Sequence, residues 1–99
     1  QPAVLPSVMV LEQNYPNPFN PVTNIRFTIE THGFASLQVF DITGRLVTTL
    51  VDEQLPIGQH EAVWDGSDVS SGVYLIRLSF GNPPAAHLTQ LTKKMVLLK

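Results

Sequence analysis

In the stretch TNIRFTIE, Ile25, Phe27 and Ile29 alternate with Asn24, Arg26, Thr28 and Glu30. A period of two puts apolar side chains on one face of an extended segment and polar ones on the other, as in a half-buried β-strand. FASLQVF repeats it, with Leu37 and Val39 on one face. RLVTTLV, QHEAVW, VYLIRLSF and the tail HLTQLTKKMVLLK also read as strands, and no stretch carries a helical period. Turn formers separate them at THG, DITGR, DEQLPIG, DGSDVSSG and GNPP. In DITGR, Asp41 suits the first position of a type I turn and Gly44 the last, which predicts a hairpin. With one more strand near Val8–Glu12, the expected total is seven.

Seven short strands in 99 residues predict an all-β fold, an immunoglobulin-like antiparallel β-sandwich. The chain has no cysteine, so the sandwich is of the kind without a disulfide. A small barrel is the alternative, because periodicity alone does not separate the two. Trp64 is the expected core anchor, and Tyr74, Ile76 and Leu78 share the face of their strand that should point inward. The length suits one domain.

Composition removes several classes of function. Six basic residues against eight acidic ones leave a net charge of −2, without the basic stripe that nucleic-acid binding demands. Without cysteine there is no thiolate nucleophile and no cysteine metal cluster. No apolar run reaches the length of a membrane span. QPAVLPSVMVLEQ lacks the basic and long apolar regions of a signal peptide and does not start with methionine. We therefore expect a piece of a longer protein.

Catalytic and metal-binding patterns are also missing. His32, His60 and His87 are scattered, and no HExxH, nucleophile elbow or phosphate-binding glycine loop occurs. His60 alternates with Ala62 and Trp64, which reads as a histidine at the margin of the core. Asp65 and Asp68 in WDGSD could form a weak oxygen site for calcium, but their spacing matches no calcium loop. Carboxylates in such sequences more often cap turns. The expected reading is a protein with no catalytic residue, no metal and no cofactor.

NYPNPFNP, Asn14 to Pro21, is neither helix nor central strand. Each proline fixes its own φ and pushes the residue before it toward an extended conformation. The stretch should be an ordered irregular connection between the first two strands. Asn17 and Asn20 should bond nearby backbone groups, and Phe19 should plug one end of the sandwich. At the other terminus Lys93, Lys94 and Lys99 flank MVLL, where lysines would discourage edge-to-edge sheet association or mark a recognised terminal peptide.

LEQNYPNPFNPVTNIRF, LQVFDITGRLVTTLVD, GQHEAVWDG, SSGVYLIRL and KKMVLLK together resemble the carboxy-terminal sorting domain of type IX secretion cargo. WDG and SGVY are shared with the immunoglobulin-like domain of flagellar hook-capping proteins, so the two ends carry the discrimination. The resemblance covers 11–99 as the sorting domain and leaves 1–10 as a linker or amino-terminal extension. It implies a non-catalytic signal that directs a fused upstream cargo domain from the periplasm through an outer-membrane translocon to the cell surface or medium. It implies a sortase-type cysteine peptidase as a further partner. Some family members carry proline before the glycine where this chain has Ser71, so both cleavage and retention accord with the resemblance. The recognition candidates are Pro16, Asn17, Pro18, Phe19, Asn20 and Pro21 at one end. At the other they are Lys93, Lys94, Met95, Val96, Leu97, Leu98 and Lys99. The competing reading is a surface-attachment or carbohydrate-binding module, which a row of exposed aromatics among Tyr15, Phe34, Phe40 and Phe80 would favour.

Overall fold

The computed structural model describes residues 9–30, 33–81 and 89–99. Seven strands follow one another: β1 (Met9–Leu11), β2 (Val22–Ile29), β3 (Gly33–Asp41), β4 (Leu46–Leu55), β5 (Gly58–Asp65), β6 (Gly72–Gly81) and β7 (Thr89–Leu97). They form two antiparallel sheets, ordered β1-β2-β5 and β4-β3-β6-β7. The architecture is thus the expected sandwich, and the barrel alternative is not adopted. In an immunoglobulin constant domain the fourth strand joins the sheet of the first two. Here β4 pairs with β3 instead. Met9 and Val10, within the 1–10 extension expected from sequence, pair with Ile29 and Thr28. The expected THG and GNPP breaks, His32, His87 and residues 1–8 include positions outside the described residues.

The alternation seen in sequence decides which side chains fill the core. Ile25, Phe27 and Ile29 of β2 face Ala35, Leu37 and Val39 of β3 and Tyr74, Ile76 and Leu78 of β6 across the sandwich, all buried. The same parity carries on to Phe80, which is also buried. It is therefore not available for an exposed aromatic row. Its ring lies over Gly33, where an added Cβ would come within 2.5 Å of it. Only a residue without a side chain leaves Phe80 this room.

Strand β4 breaks the period. Its register against β3 shifts between Leu37 and Gln38 and again between Val39 and Phe40. Each extra residue in a bulge turns the following side chains to the other face. Val47, Val51 and Leu55 share one parity, yet Leu50, of the other parity, also packs against the core.

The turn after β3 follows its sequence closely. Asp41 N–H donates to the Arg45 carbonyl at 2.9 Å, and Gly44 N–H to the Asp41 carbonyl at 3.0 Å. Gly44 has φ +90, the left-handed conformation that closes a three-residue hairpin loop. Asp41 Oδ1 accepts from the Thr43 hydroxyl and from the N–H groups of Thr43 and Arg45. The Thr43 hydroxyl bond, then the Arg45 N–H bond, hold its carboxyl below its ordinary pKa.

One end of the sandwich is aromatic. The rings of Trp64 and Tyr74 meet edge to face with centroids 5.2 Å apart. Tyr74 O–H donates to the Ser70 carbonyl at 2.6 Å, the tyrosine corner of immunoglobulin-like domains, which pins the loop between β5 and β6. Trp64→Ala should therefore cost about 3–5 kcal/mol in a urea unfolding series. A change within about 0.5 kcal/mol, as at surface sites, would contradict the packing.

Acid should weaken the fold through its two turn aspartates. Bonds from Ser67 lower the pKa of Asp65, as those from Thr43 do for Asp41. A folded-state pKa below the unfolded one contributes stability above the unfolded value and loses it as pH falls through the folded one. Between about pH 5 and pH 2, wild type should thus lose more stability than the Asp41→Asn, Asp65→Asn double variant. Equal losses would show that neither turn is linked to protonation.

Candidate functional site

The segment from Asn14 to Pro21 leaves β1, runs along the edge of β7 and enters β2. Its start is fixed by a small buried polar network. Asn14 and Thr23 are buried. Asn14 Nδ2 donates to Thr23 Oγ1 at 3.0 Å and to the Pro16 carbonyl at 3.1 Å, while Thr23 Oγ1 donates to that carbonyl at 2.9 Å. Gln13 Nε2 donates to Asn14 Oδ1 and to the Lys94 carbonyl, both at 2.7 Å. No buried side-chain nitrogen or oxygen among the described residues lacks a partner, so the network carries no desolvation penalty of an unpaired group.

Further along, the segment bonds directly to β7. Phe19 N–H donates to the Val96 carbonyl at 2.9 Å, and Leu98 N–H donates to the Phe19 carbonyl at 3.0 Å. Val96 N–H donates to Asn17 Oδ1 at 3.0 Å. Asn17 was expected to bond nearby backbone; its partner is 79 residues away in the chain. Asn20 makes no side-chain hydrogen bond among the described residues. The peptide bonds before Pro16, Pro18 and Pro21 are cis. Those three residues have no N–H to offer, so the segment covers the β7 edge without presenting a further pairing edge of its own.

The Phe19 side chain is 2% exposed, and its ring lies 5.5 Å from that of Trp64. Gly66 makes room for Leu97 beside it. A Cβ at Gly66 would lie 3.0 Å from Leu97 Cδ2 and 3.6 Å from Phe19 Cε2, and Gly66 N–H donates to the Pro21 carbonyl at 2.8 Å. PFNP, WDG and the terminal VLL thus meet at one point, though the sequence separates them widely.

The remaining recognition candidates divide by exposure. Met95 and Leu97 are fully buried and Val96 half-buried, whereas Lys93, Lys94, Leu98 and Lys99 are exposed. Pro16, Asn17, Pro18 and Asn20 are exposed beside them, and Pro21 is half-buried. Lys99 is tied down twice: its N–H donates to Ser71 Oγ at 2.9 Å and its Nζ to the Ser67 carbonyl at 2.8 Å. Asp65 Oδ1 accepts from the Ser67 hydroxyl and N–H. These bonds from Ser67 lower its pKa most, and the Lys99 charge adds to the effect. Its carboxylate is therefore spent on a turn. No group of three His, Asp or Glu side chains gathers for a metal ion among the described residues.

His60 sits half-buried at the core margin, its ring 5.5 Å from that of Phe27 and its Nε2 2.8 Å from the Pro56 carbonyl. Phe40 lies under the Arg77 guanidinium, 4.5 Å from the ring centroid. With Phe80 buried, Tyr15, Phe34, Phe40 and Phe80 do not make one exposed row. Sequence reasoning missed Gln13, Asn14, Thr23 and Gly66. An asparagine or threonine in a turn-rich stretch carries no mark of burial, and each partner is identified only by the fold.

A family profile described as a secretion system C-terminal sorting domain matches residues 13–97. Comparison with curated proteins returns no match. Among solved structures, dimeric latent PorU from Porphyromonas gingivalis is 24% identical with a TM-score of 0.75. That alignment covers 96% of this chain and 10% of PorU, so the chain spans about a tenth of that protein, and the likeness is one of fold. CopC from Methylosinus trichosporium OB3b is 16% identical with a TM-score of 0.49, over 90% of this chain and 92% of its own. On the profile match across both terminal motifs, this chain belongs to the secretion system C-terminal sorting domain family, the sorting tails of type IX secretion cargo.

Proposed function

We propose that this chain is a non-catalytic sorting signal, read in the folded state, which takes a fused upstream cargo across the outer membrane through the type IX translocon. In this reading the cargo passes through the periplasm and ends at the cell surface or in the medium. A sortase-type peptidase acts on it afterwards where the domain is removed. Residues 11–99 make up the sorting domain, Met9 and Val10 complete its first strand, and the chain ahead of them leads from the cargo.

The observation that carries the proposal is the pairing of the two most family-specific segments with each other. Phe19, Met95 and Leu97 face inward and hold the arrangement together. Pro16, Asn17, Pro18 and Asn20 face solvent next to Lys93, Lys94, Leu98 and Lys99. A receptor contacting this surface would meet a rigid proline-bearing edge and two free ammonium groups at once. Only the folded domain presents them together, which would let the translocon refuse unfolded cargo tails.

The test separates folding from recognition. Lys93→Gln with Lys94→Gln should leave urea stability within about 0.5 kcal/mol and lower secretion of an enzyme fused upstream, which then accumulates in the periplasm. Phe19→Ser removes a buried ring and should cost about 3 kcal/mol or more, with secretion lost as well. Full secretion of the lysine variant would show that its ammonium groups are not read. Full secretion of a Phe19→Ser domain shown to be unfolded would overturn recognition of the folded state.

A further inference from the structure

On the outer face of the β1-β2-β5 sheet lies a depression of about 170 Å³ lined by Glu12, Gln13, Tyr15, Asn24, Arg26 and Glu61. A second, more open one continues from it over β5, sharing Arg26 and Glu61 and adding Gln59 and His60. Tyr15 is 78% exposed, yet its backbone is held. Its N–H donates to the Asn24 carbonyl and its carbonyl accepts from Asn24 N–H, both at 2.9 Å, and Pro16 follows it. The ring therefore stands at the mouth of the groove on a fixed stem, which lowers the ordering cost of using it as a contact.

We propose that this groove binds a neutral pyranose unit of a glycan, a role separate from sorting. The lining selects the ligand class. Two carboxylates, Glu12 and Glu61, oppose an anion, and the Arg26 guanidinium between the two depressions opposes a cation. The Arg26–Glu61 pair, 3.4 Å apart and half-exposed on both sides, contributes little to stability and leaves donor and acceptor atoms free toward the groove. Amide, carboxylate and guanidinium groups are planar and supply paired donors and acceptors, which suit vicinal hydroxyls. A purely apolar ligand would find one ring and otherwise polar walls. A pyranose offers both surfaces required: hydroxyls at its rim for Asn24, Arg26 and Glu61, and a C–H face to lie on the Tyr15 ring. With one ring in place of an aromatic row, the site accommodates a single sugar unit at modest affinity.

The test is a titration of the isotopically labelled 99-residue chain, followed by amide chemical shifts. The probes are maltotetraose, cellotetraose and mannotetraose, with tetragalacturonate as the acidic counterpart. At least one neutral probe should shift the amides of Tyr15, Asn24, Arg26 and Glu61 together, with Kd on the order of millimolar. Tyr15→Ala should weaken this roughly tenfold with an unchanged melting curve, and Tyr15→Phe should retain it. The proposal fails if no neutral probe shifts these amides, if Tyr15→Ala binds as wild type does, or if the acidic probe binds more tightly than every neutral one.

Discussion

Two main-chain hydrogen bonds between Phe19 and the outer edge of β7 hold the two ends of this domain together. A seven-strand sandwich leaves unpaired strand edges, and an unpaired edge is a template for association with other chains. Here the edge from Lys94 to Leu98 is taken up by Gln13, Asn17 and Phe19. Ordering an irregular segment costs about 1–2 kcal/mol per residue in backbone entropy. Prolines at 16, 18 and 21 lower that cost because their φ is already restricted in the unfolded chain. Burial of the Phe19 ring returns about 1.5–3 kcal/mol.

The pairing also positions the rest of that end of the molecule. Phe19 packs on Trp64, Trp64 on Tyr74, and the Tyr74 hydroxyl fixes the loop after β5. Through Ser67 and Ser71 that loop secures Lys99. A continuous series of contacts thus runs from the proline segment to the last residue. The family motifs divide their work accordingly. The apolar members build the end of the sandwich, and the prolines, asparagines and lysines beside them supply its outward surface. Buried residues that hold the fold and exposed residues are neighbours within the same motif, so substitutions must be sorted by burial before their effects are interpreted.

Local pattern made much of this fold legible. The alternation of Ile25, Phe27 and Ile29, and of Tyr74, Ile76 and Leu78, identifies β2, β6 and their inward faces, and DITGR contains its own hairpin. Two features were not legible, for physical reasons. The bulges in β4 destroy the period on which alternation depends, so its inward residues could not be read, and the place of Phe80 follows only when the parity of β6 is carried past Leu78. The site was less legible than the fold. The oxygen of Asn17 meets a backbone amide of β7, and a glycine suits position 66 because Leu97 approaches it closely. Such long-range pairs leave no local signal. Resemblance singled out the two terminal motifs; their contact with each other emerged only in three dimensions.

Amide hydrogen exchange at Val96 and Leu98 tests the central contact most directly. These N–H groups point away from the β6 ladder, and their partners are Asn17 Oδ1 and the Phe19 carbonyl. If the proline segment covers the β7 edge, both amides should be protected to a degree comparable with Met95 and Leu97, which face β6. Exchange of Val96 and Leu98 at the rate of an unstructured chain, with Met95 and Leu97 still protected, would contradict the account.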